Sequence, residues 1–154
     1  MAINPNTDFS AGAVLTASQQ NRFPRGIVSY TTNTSTDSSI TTSEEVQITG
    51  SAFTAVANRY YRITYFEPNL NHASDVNFTM RIRLTNLTGA IQGGTYAFLR
   101  AGSYSSTGIL VVYATFTAGS TTLVATLQSG SGTGAATRSA DFRAFLSVED
   151  VGPA

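Results

Sequence analysis

The stretch Phe78–Leu84, FTMRIRL, alternates without a break: Phe78, Met80, Ile82 and Leu84 are apolar, while Thr79, Arg81 and Arg83 are polar. Successive side chains of a strand point to opposite faces, so this pattern specifies extended backbone with one dry face and one wet face. The same period recurs along the chain. In RYYRITYF (59–66), Tyr61, Ile63 and Tyr65 alternate with Tyr60, Arg62, Thr64 and Phe66. TTLVATL (121–127) turns Leu123, Ala125 and Leu127 inward, and DFRAFLSVED (141–150) does so with Phe142, Ala144, Leu146 and Val148. EEVQITG (44–50) places Val46 and Ile48 on the inward side. GIVSYTT (26–32) and TYAFLRA (95–101) read as strands, and SAFTAVA (51–57) as a short one.

Turn chemistry separates these segments: EPNLNHASD with Pro68, the region Asn86 to Gly94, the loop GSYSSTG, and SGSGTGAAT (129–137), read as a flexible loop. The polar run TNTSTDSSITTSEE is expected to be a long loop with little core value. The spacing predicts an all-β protein, a jelly-roll-like β-sandwich of about eight strands. One segment departs from simple alternation. ILVVYATF (109–116) is apolar on both faces. One face meets the core and the other needs cover. This points to a homo-oligomer, a trimer favoured, with Ile109, Val111 and Tyr113 at the subunit interface.

The 154 residues fit one domain, and only 12% of them are charged, about half the typical ~25%. Nine basic residues, all Arg, balance nine acidic ones. A net charge of zero argues against nucleic acid or an anionic membrane as partner. The absence of cysteine excludes disulfides and thiolate metal sites. Residues 1–10 lack the basic-then-apolar layout of a secretory leader, and no apolar run approaches the ~20 residues of a membrane span.

Candidate chemistry is sparse. His72 is the sole histidine and sits in a turn-like segment, so no ordinary histidine metal site is expected. The pairs Glu44-Glu45 and Glu149-Asp150 are neighbours on strands, so their carboxylates point apart, and they read as solvated charge near strand ends. The glycine-bearing loops lack the Lys-Ser/Thr of a phosphate loop. Arg81 and Arg83 share a face, and Arg59 and Arg62 lie with Tyr60 on another strand. They are expected to pair with carboxylates or to line a subunit contact. No catalytic, metal or cofactor site is expected, and the protein reads as a non-enzyme.

The front of the chain differs. In AGAVLTASQQNRFPRG (11–26), Thr16 and Gln19 have the spacing of a capping box, and Pro24 stops the short helix that follows. Residues 1–26 are read as an anchoring arm and residues 27–154 as the sandwich. Val14, Leu15 and Phe23, with Pro24 and Arg25, form the assembly anchor, because such apolar surface stays in water unless docked.

This arm resembles an element near the start of small bacteriophage virion proteins from actinobacterial hosts, of the minor tail, fibre and head-decoration kind. The pattern runs Ala11-Gly12-Ala13-Val14-Leu15-Thr16-Ala17, then Asn21, then Phe23-Pro24-Arg25-Gly26. FLSVEDVGPA (145–154) is similar to the ending of such proteins, and the all-Arg usage agrees with a GC-rich origin. The central strands, RYYRITYF followed by an Arg-bearing strand, are similar to jelly-roll trimers of the tumour-necrosis-factor type. The resemblance implies a structural β knob of a virion, made in a bacterial cytoplasm, held by its arm to other tail or capsid proteins. The alternative is a receptor-binding module for host cell-wall glycan, with Tyr60, Tyr104 and the Ser/Thr loops supplying stacking and hydrogen bonds.

Overall fold

Alternation is realised as β-structure almost throughout. In chain order the elements are α1 (Ala17–Gln20), β1 (Gly26–Asn33), β2 (Asp37–Ile40), β3 (Glu45–Thr49), β4 (Phe53–Ala55), β5 (Arg59–Asn71) and β6 (Val76–Leu84), followed by β7 (Ile91–Leu99), β8 (Ser105–Ala114), β9 (Gly119–Thr121), β10 (Leu123–Ser129), β11 (Gly134–Ala136) and β12 (Ala144–Pro153). The computed structural model describes Gly12, Val14, residues 16–100 and residues 105–154. Eight of these strands have five or more residues; the other four are short ladders of three or four.

Two antiparallel sheets face each other in a jelly-roll-like sandwich. The first has the order β1-β12-β5-β11-β2, with β8 on the other side of β5; the second has the order β3-β10-β6-β7. β4 and β9 form a separate two-stranded ladder. The core lies between the sheets. Tyr61, Ile63 and Tyr65 of β5 meet Phe78, Met80 and Ile82 of β6, with Leu146 and Val148 of β12 and Leu123 and Leu127 of β10. Each such side chain contributes about 1.5–3 kcal/mol through burial. The sheets come close at β7 and β8. A Cβ on Gly93 would lie 2.2 Å from Val112 Cγ1, so only glycine fits there.

Several expectations need correction. The polar run after β1 is not an empty loop: it contains β2, whose Ile40 is fully buried. Val46 faces outward, because a bulge in the β3–β10 pairing between Ala125 and Thr126 moves Gln47 and Ile48 inward together. The turn chemistry of EPNLN is absorbed into β5. Pro68 is tolerated at a bulge, where the β5–β8 register shifts between Glu67 and Leu70 and no donor is needed from it. Phe142 is exposed ahead of β12 rather than inward. The glycine-bearing segment 129–137 includes β11, and Ala136 is buried.

Candidate assembly interface

The outer side of the first sheet is built from residues that alternation places opposite the core. Register sets three rows across β1, β12, β5 and β8. Thr32, Phe145, Phe66 and Ile109 form the first; Tyr30, Ser147, Thr64 and Val111 the second; Ile27, Glu149, Arg62 and Tyr113 the third. At a strand spacing of ~4.8 Å and a same-face repeat of ~6.8 Å, the lattice is roughly 14 Å on a side before the side chains are added. Phe66 stacks on Phe145 with ring centroids 5.2 Å apart, and Tyr30 leans on Phe145 at 5.7 Å. Ile109, Val111 and Tyr113 are 59%, 47% and 61% exposed. Those three residues, singled out in the sequence, stand on one face of one strand beside an aromatic cluster. Their alternates Leu110 and Val112 pack into the core. Arg62 and Glu149 pair at one border of the patch.

The front segment meets the sandwich at a buried ion pair. Thr16 accepts from the Gln19 backbone N–H at 3.2 Å, and Gln19 Oε1 accepts from the Thr16 N–H at 2.9 Å, which completes the capping box. Val14 is 89% exposed, and Phe23, Pro24 and Arg25 are also exposed. Leu15 and Tyr104 lie outside the described residues. Arg59 joins the segment to the body. Its guanidinium donates to both carboxylate oxygens of Asp150, at 2.6 and 2.7 Å, to the Phe23 carbonyl at 2.6 Å and to the Asn21 carbonyl. The Arg25 N–H also donates to the Asp150 carbonyl at 3.2 Å. Arg59 and Asp150 are both buried, so neither belongs to a solvated patch. Tyr60, beside Arg59, is half-buried.

A second buried pair was invisible in the sequence. Arg138 donates bidentately to Glu67, Nε to Oε2 at 2.9 Å and Nη2 to Oε1 at 2.7 Å. It also donates to Gln47 Oε1 at 2.6 Å and to the Ser35 carbonyl at 3.0 Å. The Tyr65 hydroxyl donates to Glu67 Oε1 at 2.6 Å, and burial together with the Glu67 charge drives that phenol far above its usual range. This network ties the segment around β2 to β3 and β5. It is a structural lock, saturated by its own partners.

The second sheet carries its charge outside. Glu44 accepts from Arg83 at 2.7 Å through each oxygen, from Arg81 at 2.9 Å and from the Thr126 hydroxyl at 2.6 Å. The Arg83 bonds hold its carboxyl down at about 2 against the opposing effect of burial, with Thr126 and Arg81 adding to the fall. Arg81 and Arg83 thus pair with a carboxylate, as their shared face suggested.

No protein-family model matches the chain and no curated protein matches it. Among solved structures, the CBM22-1 xylan-binding domain of Paenibacillus barcinonensis Xyn10C is similar at a TM-score of 0.37 and 11% identity, over 86% of this chain and 99% of that one. So loose a likeness carries nothing about ligand or partner.

Proposed function

We propose that this chain is a non-enzymatic structural subunit: a homo-oligomeric β-domain that packs through the outer face of β1, β12, β5 and β8 and is fastened to a larger particle by the segment ahead of β1. The observation that carries this reading is the dry outer face. Three exposed apolar side chains of β8 continue into Phe66, Phe145 and Tyr30, a contiguous surface of the kind that soluble monomers rarely leave in water. A second copy of the chain is its occupant. Closed cyclic symmetry covers such a face without leaving an open end, and a trimer is the proposed state. Exposed Val14 and Phe23 supply the attachment, and Arg59 fixes the point from which that segment leaves. The proposed particle is a bacteriophage virion, its tail or its capsid, on the likeness of residues 11–26 and 145–154 described above.

Sedimentation equilibrium tests the oligomer. The wild-type chain is expected at a multiple of 16.3 kDa, and Val111→Asp at a single copy with an unchanged circular dichroism spectrum. A wild-type protein that stays at one copy at high micromolar concentration would remove the proposal. Attachment is tested separately. Val14→Asp is expected to lower the amount of chain bound to particles while leaving the oligomer intact.

A further inference from the structure

On the opposite side of the sandwich, β7 is the edge strand of the second sheet, and its outward side chains are aromatic. Tyr96 is 70% exposed and Phe98 58%, while Ala97 and Leu99 between and beyond them are buried. The two residues stand on one face, their Cα atoms about 6.8 Å apart along the strand. Nothing in the core requires them there, and water disfavours them. Beside Tyr96 the strand carries Gly94, opposite Arg81 of β6. A Cβ on Gly94 would come within 3.3 Å of Arg81 Cγ, so the glycine lets the arginine stem lie flat against the strand. The result is a depression of about 410 Å³ lined by Thr79, Arg81, Gly94, Thr95 and Tyr96.

Its chemistry is specific. An aromatic wall takes the apolar C–H face of a ring, and the hydroxyl of Thr79 and the guanidinium of Arg81 take polar groups at the ring's edge. A pyranose has that pair of surfaces. Charge narrows the class further. Arg83 uses Nε and Nη2 on Glu44 and Nη1 on the Gly89 carbonyl, so the Arg83–Glu44 pair is complete in itself. Arg81 binds Glu44 and Gln128 through Nη1 alone, so one carboxylate serves two guanidiniums and a positive charge is left over. Arg100, exposed two positions past Phe98, has no ion-pair partner among the described residues. Aromatic rings beside Arg81, whose charge exceeds what Glu44 balances, suit a chain of sugar rings that bear carboxylates.

We propose that the outward edge of the second sheet is a binding site for an acidic polysaccharide, with a pyranose ring stacked on Tyr96 and its carboxylate held by Arg81. The site does not depend on the dry face of the first sheet, and each can fail without the other.

Affinity electrophoresis of the whole chain through gels containing polygalacturonate tests the site, with hydroxyethylcellulose as the neutral control and dextran sulfate as the control for simple ion exchange. The wild-type chain is expected to be retarded by polygalacturonate. Tyr96→Ala and Arg81→Gln should each weaken that binding at least tenfold, and Ile91→Ala, on the same strand beyond the depression, should leave it unchanged. Tyr96 is a surface residue, so its variant tests the site without testing the fold. Absence of retardation, retardation that survives Tyr96→Ala, equal retardation by the neutral polymer, or binding to dextran sulfate that matches polygalacturonate would each overturn the proposal.

Discussion

The two sheets dispose of their charge in opposite ways. The first draws most of it inside: Arg59–Asp150 and Arg138–Glu67 are buried pairs on or beside its strands, while its outer face keeps one ion pair, Arg62–Glu149, at the border of a surface formed by Ile109, Val111, Tyr113 and the Phe66–Phe145 stack. The second keeps an apolar inner face and carries Arg81, Arg83 and Glu44 on the outside. Both obey the same two-residue alternation. What differs is which side the polar residue takes, and each choice has a physical consequence. A buried ion pair must be fully satisfied, because solvent cannot repair a missing partner. One that keeps some contact with water, as Glu44 and Arg83 do at 16% side-chain exposure, tolerates loss better and responds to pH. An outer face whose charge is confined to one pair at its border is free to meet another protein.

That contrast can be broken at its strongest point first. Arg138→Met leaves Glu67 buried and unpaired, and removal of one partner of a buried pair is expected to cost about 3–5 kcal/mol. Urea unfolding should show this as a lowered midpoint. The double variant Arg138→Met with Glu67→Met should recover much of the loss, since the uncompensated charge is then gone. A double variant no more stable than the single one would show that the lock contributes more than charge balance.

Glu44→Gln is a smaller perturbation. It removes the acceptor shared by Arg81 and Arg83 and is expected to cost about 1.5 kcal/mol, the lower end for a charge-assisted bond that remains partly in water. Its pH signature is more specific than its size. The folded Glu44 carboxyl lies at about 2 against an ordinary 4.5, so the native state holds this proton less tightly than the unfolded chain does. Its stabilisation is complete above 4.5 and is lost as pH falls from 4.5 toward 2. The wild-type midpoint should therefore fall across that window more steeply than that of Glu44→Gln, and parallel curves would assign the acid sensitivity to other carboxylates. Smallest of all is Arg62→Gln, at the border of the dry face. An exposed pair of this kind is worth about 0–1 kcal/mol, so the urea midpoint should barely move.

The legibility of the molecule follows from the same contrast. FTMRIRL and RYYRITYF were readable because their alternation is local: Phe78, Met80, Ile82, Tyr61, Ile63 and Tyr65 went where period two puts them. The helical turn was readable from Thr16 and Gln19, three residues apart. Ile109, Val111 and Tyr113 could be named because apolar residues filled both sides of a single segment. Tyr96 and Phe98 lie at the outward positions of TYAFLRA, so the signal was present, but alternation alone does not say what an outward ring is for. β2 and Val46 were misread for a different reason. A hydroxyl-rich segment acquires a strand only when β11 offers it a ladder, and a bulge at Gln47 reverses the side on which Val46 emerges.

The amino-acid sequence alone settled what is local: an all-β chain, the inward set of its long strands, the cap of the helical turn at Ala17–Gln20, and a strand with two dry sides. Tertiary structure alone decided which distant groups meet. Arg138 lies 71 residues from Glu67, and Arg59 lies 91 from Asp150. No spacing rule joins them. Such pairs form only after the sheets close over them, when a guanidinium shut away from water must take whatever carboxylates and carbonyls the fold has brought within reach.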